Sequence, residues 1–336
     1  HPAAPSNVSA LMSGVMIKVA LFTLVKFTLF LPLSIYFGLT VLILGAASSL
    51  FGVLYALCQH DYKALLAYHR YAFGIILLGL GTGLYGLAAG NTTLAAIGFL
   101  AGCYHVVNHA IFKGLLFLCA GSVLHATHTR DMDVLGGLAK KMPWTSVGMF
   151  IGIMGIAALP PVNGFVSEWF TYQGMLQGAL EQGIFTRYAF TLSVVALALT
   201  GVLVGMHLKL YAVIFAGTPR DQKIWENAKE SPIFMVLGMI VLMIGCIGFG
   251  IGANVVVGYI QTAVNSIGGA GGYVASHGIN LTSNLGSVVS TPLIAIILCS
   301  TMVLPFAILA VMKANREKPR ETDPWACGFK YSSRMQ

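Results

Sequence analysis

The chain has 336 residues, 57% of them hydrophobic and 9% charged, with a mean hydropathy of +0.82. An ordinary soluble domain carries about 45–50% apolar and about 25% charged residues, so a soluble enzyme, a nucleic-acid binder and a disordered linker are excluded together. Nineteen Lys and Arg against eleven Asp and Glu leave a net charge of +8, and in so apolar a chain these bases read as membrane-flanking residues.

What remains is an all-α polytopic membrane protein. Apolar runs near the ~20 residues that cross hydrocarbon predict spans at about 9–30, 33–58, 66–89, 93–122, 144–160, 163–180, 187–215, 232–261 and 290–313. Barrel-type alternation is absent. Pro2 and Pro5 precede the first span, and Ser9, Ser13 and Gly14 lie inside it, which predicts an interrupted helix. A second break is predicted at Leu159-Pro160-Pro161-Val162-Asn163-Gly164: the two prolines lack N–H donors and Gly164 loosens the backbone.

The polar connections fall at 123–143, 217–231 and 264–289, followed by a basic tail at 313–336. Basic segments follow both odd and even spans, so the sequence gives no single orientation. The six cysteines (Cys58, Cys103, Cys119, Cys246, Cys299, Cys327) stand singly and read as small packing residues, not as a disulfide, zinc or iron–sulfur framework. A start at His1 and a polar end suggest part of a longer polypeptide.

Burying a charge in lipid costs at least ~2.5–3.5 kcal/mol, so ionisable residues inside apolar runs are the informative ones. His105, His109 and Lys113 recur at i, i+4 and i+8 and share one helix face about 12 Å long, with Asn108 beside them. Such a row suits a water-assisted proton relay. Glu168 is the acid well inside an apolar span, four residues past the predicted break. Lys18 follows the first Pro- and Ser-marked segment, and Lys26 is expected to snorkel. Lys63 follows Asp61 and also fits an interfacial site. His125 and His128 fit a surface or a relay exit, while His207 and Lys209 point about 200° apart and cannot both line one path. A metal bound by His105 and His109 is a weaker alternative, since Lys113 on the same face would repel a cation.

The strings HPAAPSNVSALMSGVMIKVALF, HVVNHAIFKGLLFLCAGSVLHATHTRDMDVLGGLAKKMP and ALPPVNGFVSEWFTYQGML resemble the antiporter-like proton-translocating subunits shared by respiratory complex I, Mrp-type cation/proton antiporters and membrane-bound [NiFe] hydrogenases. The stretch NGFVSEWFTYQ looks most like the branch of hydrogenase-4 component B and formate hydrogenlyase subunit 3. The resemblance covers about the first 220 residues. It implies inverted five-helix repeats, each with a discontinuous helix. Residues 1–70 would then close a first repeat, 71–217 would form the second, and 218–336 would add C-terminal helices and the tail.

On that resemblance Lys18 falls on the lysine of the first broken helix, whose glutamate partner lies upstream, and Lys63 on the lysine of the next helix. His105, His109 and Lys113 fall on the central hydrophilic axis and Glu168 on the ionisable residue of the second broken helix. The implied path runs from Lys63 through His105 and His109 to Lys113 and Glu168, with Lys18 as a switched element. The resemblance implies no redox centre or cofactor in this chain. Partner membrane subunits and a peripheral hydrogenase or dehydrogenase arm would carry [NiFe] and Fe–S centres, and the chain would sit in a bacterial or archaeal cell membrane. An Mrp or complex I type Na⁺/H⁺ antiporter subunit is the nearest alternative, ahead of a passive anchor.

Overall fold

A computed structural model describes residues 3–68, 71–205, 208–271, 273 and 275–311. Helices dominate, and among the described residues seven helical segments are long and apolar enough to cross a membrane. The first begins as α1 (Ser6–Leu11) and continues through a π-helical turn at Met12–Met16 into α2 (Ile17–Thr28). The interruption expected there is therefore a bulge and not a break. Ser13 and Gly14 are buried at that turn, and the extra residue of a π turn frees carbonyls without unwinding the helix.

Next come α3 (Ile35–Leu57), α4 (Tyr62–Tyr68), α5 (Tyr71–Ala88) and α6 (Thr92–Thr127). The helices α3, α5 and α6 pack backbone to backbone through small residues. A Cβ added at Gly74 would lie 2.5 Å from Gly45 O, and one at Gly79 would lie 2.6 Å from Gly102 N. Lipid tails give no hydrophobic drive for helix association, so close approach at small residues supplies the van der Waals contact that holds such helices together. The 36-residue α6 is about 54 Å long at ~1.5 Å per residue, longer than any predicted span. Asn91 caps its start by accepting Leu94 N at 3.0 Å, and His128 ends it in the left-handed conformation at φ 54°. It is the central pillar, packed against α1, α5 and the later helices.

The later helices are α7 (Pro143–Ile156), α8 (Gly164–Gly178), α9 (Ile184–Gly205), α10 (Leu208–Ile214), α11 (Gln222–Asn227), α12 (Ile233–Ile251), α13 (Ala253–Asn265) and α14 (Thr291–Val311). The run 232–261 expected as one span is two helices, α12 and α13, divided at Gly252. The charge-free stretch 264–289 holds a small antiparallel sheet, β1 (Ser276–His277), β2 (Asn280–Thr282) and β3 (Val288–Val289). Outward faces of α2, α3, α9, α12 and α14 carry exposed residues such as Phe22, Leu44, Leu192, Val241 and Ile296, the surface a bilayer would cover.

Candidate functional site: a buried polar row ending at a broken helix

The second predicted break is real. Helix α7 ends at Ile156 and α8 starts at Gly164, with a cis peptide between Pro160 and Pro161 and Ala158 at φ 51°. Backbone groups freed by the break find partners in neighbouring helices, as membrane depth requires. Asn163 N donates to Cys246 O of α12 at 3.0 Å. Asn108 Nδ2 on α6 donates to Asn163 O at 2.6 Å, and Asn163 Nδ2 returns a bond to Asn108 O at 3.2 Å. The close approach of α12 depends on Gly250, where a Cβ would sit 2.0 Å from Pro161 O.

On α6, His105, His109 and Lys113 are all buried, at 1%, 4% and 1% exposure, so one wall of the pillar is polar throughout its middle. Lys113 Nζ donates to Leu66 O of α4 at 2.6 Å. One turn further, His109 Nδ1 lies 2.5 Å from Lys18 Nζ, which also donates to Ser13 O at the π turn. The π bulge thus presents a carbonyl to the lysine amine. Another turn along, the His105 ring stands 6.3 Å from that of His109, and its Nδ1 is 3.0 Å from Ser167 Oγ on α8.

The row therefore runs from Lys113, beside α4, through His109 to His105, beside α8. The helical rise puts His105 and Lys113 at opposite ends of the row, and it is His105 that contacts α8, the helix that bears Glu168. Glu168, 9% exposed, follows Ser167 on α8 and faces a small cavity lined by Ile75, Ile156, Ala157, Leu197, Thr200 and Val204. Its carboxylate forms no hydrogen bond or ion pair among the described residues. Thr200 continues the polar trail to Ser49 of α3 at 3.4 Å.

Lys63 is buried at 2% and donates to Ala4 O, ahead of α1. It belongs to α4, after α3, and so lies one helix later than the resemblance implied. Lys26 is exposed near the end of α2, as snorkelling requires, and Lys209 is exposed on α10, away from the row. His125 and His128 are exposed at the end of α6, where they line a groove with Ser6, Phe234 and Met235. His207 lies outside the described residues, as do Cys327 and the tail. No cluster of three metal-ligating side chains occurs among the described residues. Both histidines spend Nδ1 on protein partners, and the partner of His109 is an amine. The neutral residues Asn108, Asn163 and Ser167 had no assigned role in the sequence. Their signal was present, as Asn108 is on the face of His105 and the other two flank the start of α8.

The family model described as NADH:quinone oxidoreductase/Mrp antiporter, TM matches residues 1–196. Hydrogenase-4 component B of Escherichia coli K12 is 37% identical over 343 residues, covering 100% of this chain and 51% of that protein. Formate hydrogenlyase subunit 3 of the same organism is 37% identical over 341 residues, covering 100% of this chain and 53% of that protein. The chain spans about half the length of the curated relatives it matches. Among solved structures, the membrane-bound sulfane sulfur reductase, an archaeal respiratory membrane complex, superposes with a TM-score of 0.77 at 24% identity. That match covers 96% of this chain and 50% of the other, a likeness of fold.

Proposed function

The chain belongs to the NADH:quinone oxidoreductase/Mrp antiporter transmembrane family, and on that premise we propose that it moves protons as part of a membrane subunit of a hydrogenase complex of the hydrogenase-4 or formate hydrogenlyase kind. It is homologous over its whole length to subunits of those two complexes. One observation carries the reading: the buried row Lys113, His109 with Lys18, and His105 ends against the broken helix that bears Glu168. Charges cost too much at this depth to be kept as filler. In this reading residues 71–217 are the translocating repeat, and 218–336 are added helices and tail.

The mechanism needs only electrostatics. Two unit charges 4 Å apart interact by ~4 kcal/mol at an effective dielectric of ~20, enough to shift a proton between neighbouring sites by about three decades. A proton gained or lost at Lys18 is felt directly by His109, and a change at either is felt along α6. Electron transfer in partner subunits holding [NiFe] and Fe–S centres would supply the drive. Glu168 is the group that exchanges protons at the far end, in a cavity edged by the hydroxyl of Thr200.

The test uses the full-length protein in its complex, in sealed inverted vesicles. Lys113→Met and Glu168→Gln should each lower proton uptake per electron transferred by about 100-fold, the scale of a lost acid–base group. Wild-type proton uptake in both variants would overturn the proposal.

A further inference from the structure

The contact between α6 and α8 has an unusual balance of donors and acceptors. Both asparagine amides have a fixed orientation, because each Nδ2 gives its hydrogen to a backbone carbonyl: Asn108 to Asn163 O and Asn163 to Asn108 O. Both Oδ1 atoms are therefore acceptors, and both are buried without a hydrogen-bond partner among the described residues. His105 Nε2 shares that condition. All three residues are at least nine-tenths buried, at 0%, 0% and 1% exposure.

Ser167 decides which nitrogen of His105 carries the proton. A hydroxyl has one hydrogen to give and two lone pairs to receive. Ser167 Oγ donates to Gly164 O at 3.0 Å and receives Asn108 Nδ2 at 3.1 Å. Its remaining contact, His105 Nδ1 at 3.0 Å, closes the set if the imidazole donates. The other tautomer would bury an Nε2–H with no acceptor, and orphaned buried N–H groups are the rarer defect. With Nδ1 protonated, each donor atom of Asn108, Asn163, Ser167 and His105 has a partner, and the unpartnered atoms are all acceptors.

We propose that Ser167 is a positioning residue that fixes His105 as the Nδ1–H tautomer, so that the buried, unpartnered Nε2 is the atom that receives the translocated proton from a water carrier. The inference deepens the proton-translocation reading and rests on it. In the transfer the carrier loses H⁺ and Nε2 gains it, giving an imidazolium protonated on both nitrogens; loss of that same proton from Nε2 restores the ring.

The direct experiment is nitrogen-15 NMR of histidine-labelled full-length protein in its complex, in bilayers, at a pH where His105 is neutral, with the signal assigned by difference from His105→Gln. Nδ1 protonated and Nε2 bare is the expected result; a protonated Nε2 overturns the proposal. Ser167→Ala should mix the two tautomers, lower proton uptake about 10-fold and shift its pH profile, while Ser167→Thr restores all three. Wild-type uptake and pH profile in Ser167→Ala would also overturn it. If Glu168→Gln and Lys113→Met lower uptake as expected while Ser167→Ala keeps wild-type uptake and pH profile, only the tautomer assignment fails. If those two variants pump normally, the transport reading fails whatever the NMR shows.

Discussion

Charge at bilayer depth is expensive, and that expense made half of this site readable from the residues alone. Lys18, His105, His109, Lys113 and Glu168 stood out because each interrupts an apolar run, and all five are buried. Asn108, Asn163 and Ser167 carried a weaker signal for the converse reason. A neutral amide or hydroxyl costs far less to bury once it is hydrogen-bonded, so one among many apolar residues carries no special weight. Sequence also cannot separate a buried lysine from a lipid-edge one, which is how Lys209 entered the candidates. Since Lys209 is exposed on α10, Lys209→Gln should leave proton uptake within about twofold of wild type, where Lys113→Gln abolishes it. A separate residue-scale prediction concerns Glu230. Its carboxylate accepts Trp144 N at 2.8 Å and Thr145 Oγ1 at 2.6 Å, capping α7 and holding it against the Ser122–Ser231 contact at 2.6 Å. Glu230→Ala should destabilise the protein by about 1–2 kcal/mol, read as a lower melting temperature in detergent. Proton uptake per folded complex should be retained.

Whole elements were legible wherever hydropathy changes along the chain. The break at Pro160, Pro161 and Gly164 was visible because missing N–H groups force it. The division of α12 from α13 at Gly252 was not, since the apolar run continues through it, and the sheet at β1–β3 hid in a stretch without alternation. The π turn before Lys18 was misread as a break because serine and glycine mark both. These two helices, α8 and α12, also define what the break tolerates. At Gly250 a Cβ would meet Pro161 O at 2.0 Å, and at Gly164 it would meet Gly155 O at 1.8 Å; both are backbone atoms with no freedom to rotate away. Two residues from Gly250, a Cβ on Gly248 meets nothing within 4 Å. Gly250→Ala should therefore cost about 1–3 kcal/mol of stability, the usual penalty of overpacking, with proton uptake falling alongside. Gly248→Ala on the same helix should match wild type in both. Equal effects from the two alanines, read by thermal unfolding in detergent, would mean that helix propensity and not the contact at the break governs this site.

At the scale of the molecule, the fold settles a count that the linear sequence left ambiguous. Treating α7 and α8 as one interrupted span brings the polar connections to common ends. At one end Arg130 pairs with Asp61 at 3.3 Å and His60 with Asp133 at 2.8 Å. There, too, Arg220 donates to Leu135 O at 2.6 Å and Trp225 Nε1 to Gly137 O at 2.9 Å. Residues 58–61, 128–142 and 216–230 therefore share one face and bring Arg130, Lys140, Lys141, Arg220, Lys223 and Lys229 to it. The opposite end joins Asn91 to Glu181 at 2.6 Å and Asn284 to Gln177 at 3.0 Å, with Arg187 beside them. Short loops rich in Lys and Arg stay on the cytoplasmic side, so the prediction is that the first end faces the cytoplasm and the sheet-bearing end faces out. Cys58 closes α3 at the basic end and is exposed, whereas Cys299 is exposed in the middle of α14. In a full-length variant keeping Cys58 alone, a membrane-impermeant maleimide should label inverted vesicles and spare right-side-out ones. In a variant keeping Cys299 alone, the reagent should label neither until detergent strips the lipid from α14. Labelling of Cys58 from the outer face would reverse the orientation, and with it the side from which Lys113 is loaded.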